Sequence, residues 1–378
     1  MNLDYGLISA DSHVTEPPDC YARFIDPAYA DRVPHIVTDA RGGERYLIPG
    51  LDEMAVPMGL IGSAGRESSA IRYHARRPDE WQRSGWDPTC RIADQDRDGV
   101  IAEILYPSVG VPLGVHPDLD YREACMVAYN RWLEEYCAVA PDRLYGVGQA
   151  SMRDGRSGAA EMRTIKAQGF RGVMMPGLPG FADYDDPSYD HVWAAAVELD
   201  LPLCFHIVTV KSQTGLRGPG INAMLNVVRT CQDIIGMLIF SGVFDRYPDL
   251  RIVGVESDAG WAPHYAWRMD HVYERHRHWN KTIELDRLPS EYFFGNVWLT
   301  FQNDWSAIRV IGELNVERLM WANDFPHSDS TWPDSRQLLS DHLADLDPAD
   351  TRRIVRDNCA ELFSLEVPER RDLAPSAR

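Results

Sequence analysis

The sequence predicts an α/β protein folded as a (β/α)8 TIM barrel, with a large insertion after the first strand. Eight short apolar runs rich in Val, Ile and Leu recur along the 378 residues, and helix-like stretches separate them. Runs apolar on both faces suit buried parallel strands, and eight of them alternating with helices describe a barrel. The length agrees, because a minimal barrel needs about 250 residues and leaves a surplus for insertions and a tail.

The first run covers residues 7–13 (LISADSH). After it, 14–99 is rich in Pro, Gly and Arg and holds most of the surplus. Attached to the first strand's outgoing loop, that segment is expected on the catalytic face as a lid. The second run is 101–107, followed by a helix over 121–140 that stops at Pro141. The third is 144–149, with a helix over 159–168 ending at Gly169. The fourth is 171–176, and its helix over 189–199 stops before Pro202. The fifth, 202–208, leads into the loop 209–220, placed like the lid. The sixth, seventh and eighth are 251–256, 296–301 and 319–324. From 366 on the chain is charged and contains Pro, as a frayed tail does. One domain over 1–378 is expected.

Composition narrows the partners. Acidic residues number 57 against 38 basic, a net charge of −19, which argues against nucleic acid or an anionic membrane as partner. No apolar stretch is long enough to span a bilayer, and MNLDYGLISADSH does not read as a signal peptide. The seven cysteines are scattered without a CxxC pair, which suits reduced thiols in a cytoplasmic protein. No GxGxxG or GxxxxGK[ST] follows a strand, so no nucleotide cofactor is expected.

The site of such a barrel gathers where its strands end. The first run ends Asp11-Ser12-His13 with Glu16 beyond, the fifth ends Phe205-His206, the sixth Glu256-Ser257-Asp258, and the eighth Asn323-Asp324-Phe325-Pro326-His327. Taken singly, each has an ordinary structural reading as a cap, a core histidine or a turn. Together, two imidazoles and three carboxylates converging in a buried place need a cation, so Asp11, His13, His206, Glu256 and Asp324 are candidate ligands of a divalent metal. Asp324, Glu256 and His327 are the candidate catalytic groups. His74 in the lid, Glu103 from the second strand, and Lys211 and Arg217 in the 209–220 loop are candidate substrate contacts. The lid's Arg66, Arg72, Arg76, Arg77, Trp81 and Trp86 suit a carboxylated or aromatic small molecule.

At this point the chain resembles the amidohydrolase-related branch of the amidohydrolase superfamily, which includes aminocarboxymuconate semialdehyde decarboxylase and the resorcylate decarboxylases. The resemblance rests on ISADSHVTEP, DRDGVIAEILYPS, LCFHI, FSGVFDRYPDLRIVGVESDAGW and LMWANDFPHSDSTWP. It implies a barrel with one or two divalent metals (Zn, Mn or Fe), the ligands Asp11, His13, His206 and Asp324, and a homodimer. Two departures stand out. Glu256-Ser257-Asp258 replaces the decarboxylases' histidine, and Val173-Met174-Met175 lacks the lysine that bridges two metals in many hydrolases.

The expected activity is metal-dependent hydrolysis, or decarboxylation or other lysis, of a small carboxylated or cyclic substrate. A metal-bound water and Asp324 as proton shuttle would carry it. The alternative is a di-iron monooxygenase with Glu256 as extra carboxylate ligand.

Overall fold

The computed structural model describes residues 3, 5–51, 55–73, 81–207, 218–219, 221–222, 225, 227–280 and 282–368. Strand β1 (Leu7–His13) is followed by a small antiparallel sheet of β2 (His35–Thr38), β3 (Glu44–Leu47) and β4 (Val56–Pro57). Then come β5 (Val100–Tyr106), β6 (Leu144–Gln149), β7 (Gly172–Met174), β8 (Leu203–His206), β9 (Ile252–Val255), β10 (Val297–Phe301) and β11 (Leu319–Trp321). β1 and β5 to β11 form one eight-stranded parallel sheet in sequence order. Backbone hydrogen bonds bring its ends together: Asp324 N donates to Asp11 O at 3.1 Å and His13 N to Phe325 O at 2.7 Å. This is a (β/α)8 barrel.

The eighth strand is shorter than the apolar run, because Asn323 and Asp324 turn away from β10 to bond β1. The segment 14–99 also divides. Its last part is the helix Pro88–Asp98, the barrel's own first helix, which fills its usual place between β1 and β5. Asp87 caps that helix by accepting from Thr89 N and Cys90 N, Pro88 opens it, and Gly99 ends it at φ +77°. Only 14–87 is therefore extra to the barrel. It is tied to the loop after β11, with Ala64 N donating to Pro326 O at 3.0 Å and Ser328 N to Leu60 O at 2.9 Å.

The barrel lumen is filled by Ile8, Ala10, Ala102, Ile104, Tyr106, Val147, Met174, Cys204, Val253, Val255 and Met320. Phe363 from the chain's last helical turns closes the amino end, 3.1 Å from where a Cβ on Gly172 would lie. Among the described residues, no helix is long and apolar enough to cross a membrane.

Candidate metal centre

Strict alternation would turn Asp11 and His13 away from the lumen, since Ile8 and Ala10 face into it. A bulge prevents this. Ser9 pairs with Glu103 and Ser12 with Leu105, so β1 has one residue more than β5 over that stretch. Ser9 and Ser12 then both face outward, and both bond the side-chain oxygen of Asn323. Asp11 and His13 swing inward at the carboxyl end.

The same register decides Glu103. Its neighbours Ala102 and Ile104 fill the lumen, so Glu103 points outward, where it accepts from Arg91 Nε and Gln95 Nε2, both at 2.6 Å. The expectation that it contacts substrate is corrected: its carboxylate is taken up between barrel and helix. His74, Lys211 and Arg217 lie outside the described residues.

The remaining candidates are brought together. His13 Nε2 is 3.4 Å from both Asp11 Oδ1 and Asp324 Oδ1, and 3.2 Å from His206 Nε2. His206 Nε2 is 3.4 Å from Glu256 Oε2 and 3.7 Å from Asp11 Oδ1. The His327 ring stacks on His13 with centroids 3.8 Å apart, and its Nδ1 is 3.0 Å from Asp324 Oδ1. Glu256 (φ +55°) and Asp324 (φ +52°) hold left-handed backbone conformations, which are uncommon for non-glycine residues.

Tautomers can be assigned from partners that only accept. His13 Nδ1 lies 2.8 Å from Pro107 O and His206 Nδ1 2.9 Å from Ile207 O, so in both rings Nδ1 donates. The two Nε2 atoms thus face each other, an arrangement that a cation between them would satisfy. A proton would satisfy the nitrogens but leave both oxygens of Asp11 and of Asp324 buried without a hydrogen bond. A divalent ion satisfies all of them. Asp11, His13, His206 and Glu256 each offer a ligand atom within 4.8 Å of the others, and so, as a second group, do His13, Asp324 and His327. The residues fit a metal, with His13 and His206 each oriented by a backbone carbonyl as metal-bound histidines usually are.

The charges say the same. Burial opposes ionisation of Asp11, but the imidazoles of His13 and His206 hold it below the usual carboxylate range. Burial, opposed by His13 and reinforced by Asp11, pushes Asp324 up to about 7. Burial, then Asp324 and Asp11, push Glu256 well upward. Burial and the neighbouring His327 hold His13 down to about 4, while burial and His206 hold His327 down to about 3. Three carboxylates in this space cannot all ionise unless a cation joins them.

Around this cluster lie groups that sequence reasoning passed over. Ser108 Oγ donates to Val14 O at 2.6 Å, so it must accept from His327 Nε2 at 2.8 Å, leaving Nδ1 of that ring bare toward Asp324. Arg91 donates to His13 O and Phe325 O, and Gln302 follows β10 beside Asp324. Glu16 plays a different part: it accepts from the backbone of Val109 and Gly110 at 2.9 and 2.8 Å and pins the loop after β5.

The amidohydrolase family model (Amidohydro_2) matches residues 51–365. The chain belongs to this family. It is 28% identical over 264 residues to a gamma-resorcylate decarboxylase of Rhodococcus jostii (strain RHA1), covering 63% of this chain and 75% of that protein. Among solved structures, the 5-carboxyvanillate decarboxylase of Sphingomonas paucimobilis aligns with a TM-score of 0.72 at 23% identity, over 96% of this chain and 99% of that one. A dihydroxybenzoic acid decarboxylase of Polaromonas sp. JS666, solved with bound manganese and the inhibitor 2-nitroresorcinol, aligns with a TM-score of 0.62 at 20% identity, over 97% and 98%. As an amidohydrolase-superfamily member the protein is an enzyme.

Proposed function

We propose that this amidohydrolase is a metal-dependent decarboxylase of small hydroxylated aromatic acids. The observation that carries the reading is the cluster itself: the Nε2 atoms of His13 and His206 lie 3.2 Å apart, beside the carboxylates of Asp11 and Asp324, whose oxygens are buried without a hydrogen bond. Asp11, His13, His206 and Asp324 would hold the ion, with Glu256 alongside. When bound, a divalent ion supplies Lewis-acid attraction for an oxygen of the substrate. The relatives named above act on carboxylated phenols, and one of them holds manganese, which suits this oxygen-rich set.

The chain's own residues supply the proton. His327 Nδ1 and Asp324 Oδ1, 3.0 Å apart, are close enough to pass a proton between them. In this reading Asp324 carries that proton, with the His327 ring beside it. Delivered to the ring carbon that bears the carboxylate, it allows the C–C bond to break. The bonding pair restores the ring, and carbon dioxide leaves. Glu256 stands where the resemblance implies a histidine, with its Oε2 3.4 Å from His206 Nε2.

His13 has one free nitrogen, and both ligand groups use it. A single imidazole nitrogen binds one ion, which favours one metal over a di-iron centre. Elemental analysis of the purified protein should therefore give one divalent ion per chain. Two irons per chain with dioxygen uptake would support the oxygenase alternative instead.

The activity test uses manganese-loaded protein with 2,6-dihydroxybenzoate and 5-carboxyvanillate. Carbon dioxide should be released from at least one, and a chelator should abolish the release. Release unaffected by complete metal removal, or none from a wide panel of hydroxybenzoates, would overturn the reading.

A further inference from the structure

β10 contributes no charged residue to the centre, yet it ends beside Asp324. Phe301 pairs with Trp321 of β11, and Ala322 N donates back to Phe301 O at 2.9 Å, so Gln302 emerges at the carboxyl end of the barrel. Thr300 and Gln302 are two apart and share a face. That face is turned to the site, because Thr300 Oγ1 accepts the Glu256 backbone N–H at 2.7 Å. Gln302 is only 9% exposed, and its carboxamide nitrogen has no hydrogen-bond partner. An orphaned buried donor is costly and is usually kept for a partner that arrives later.

The surroundings define that partner. Asp324, Glu256, Asp258 and Asp329 lie near one another on this side of the centre. A wall of acids repels a carboxylate, and a carboxamide within it offers a neutral donor. The oxygen that suits both is uncharged. Gln302 also lies beside Asp324.

We propose that Gln302 is a specificity-determining residue whose carboxamide N–H donates to a ring hydroxyl oxygen of the substrate. The proposal rests on the aromatic decarboxylase reading and deepens it: the acid group of the substrate goes toward the metal, and a neighbouring hydroxyl goes toward β10. It assigns selectivity for hydroxylated over plain aryl acids to one side chain.

The test is calorimetric binding of 2-nitroresorcinol and of benzoate to manganese-loaded wild type and Gln302→Met. The variant keeps the length of the side chain and removes the donor. Its affinity for 2-nitroresorcinol should fall about tenfold, the scale of one neutral hydrogen bond. Its affinities for benzoate and for manganese should not change, which a merely structural role would not produce. If Gln302→Met fails to fold, Gln302→Leu, which also removes the donor, should lose at least as much. Unchanged 2-nitroresorcinol binding in a folded variant overturns this proposal alone, provided the wild type decarboxylates. A wild type that binds neither probe and releases no carbon dioxide overturns both.

Discussion

Asp324→Asn is expected to lower turnover by about 10²- to 10⁴-fold, the range a lost general acid produces, while leaving the fold intact. The carboxamide is nearly the same size, and asparagine tolerates the left-handed backbone (φ +52°) that Asp324 occupies. Under the proposed function, what disappears is the proton carrier beside His327 and one negative ligand facing His13. Metal affinity should therefore fall as well, so the assay must be run at saturating manganese to separate the two losses. Carbon dioxide release, circular dichroism and metal content together check the outcome. Near-normal turnover at full metal occupancy would remove Asp324 from the chemistry. Asp324→Ala is a poorer test, because alanine is strained at this φ and the fold would answer along with the site.

Most of the barrel was legible because a buried parallel strand needs apolar residues on both faces, and that leaves dense short runs. Two of the eight, Leu7–His13 and Leu144–Gln149, have the very bounds their runs suggest. The cluster was legible because aspartates, histidines and a glutamate end four strands of one barrel, and the barrel brings strand ends together. What could not be read was register. Alternation alone places Glu103 on either face, and only its pairing with Ser9 shows that it points to Arg91. The bulge in β1 that aims Asp11 inward is invisible in LISADSH, since it depends on how β5 matches that stretch. Gln302 escaped because an amide has no charge to draw attention, and its meaning lies in what it fails to bond. Arg91 escaped too, being one arginine among many, and its importance appears only once its partners are known.

Those partners set the second large effect. Arg91 and Glu103 are fully buried, 2.6 Å apart, and the guanidinium also donates to His13 O at 2.7 Å and Phe325 O at 3.2 Å while lying over the Phe325 ring. It thus joins the helix Pro88–Asp98 to both β1 and the loop that carries Asp324. Arg91→Met should destabilise the protein by about 3–5 kcal/mol, because it leaves the Glu103 carboxylate buried with Gln95 as its main remaining donor. The double variant Arg91→Met/Glu103→Leu should recover much of that loss, since it removes the stranded charge together with its partner. Metal affinity should tell a different story. It should fall about 10- to 100-fold in the single and the double variant alike, because both release the His13 and Phe325 carbonyls that the guanidinium holds. Denaturant melts and manganese titrations of the three proteins separate the effects. Recovery of stability without recovery of metal binding would show that Arg91 serves the centre by holding backbone in place. Recovery of both would mean that the pair matters to the fold alone, and that His13 keeps its position through Pro107 and the Phe325 backbone without it.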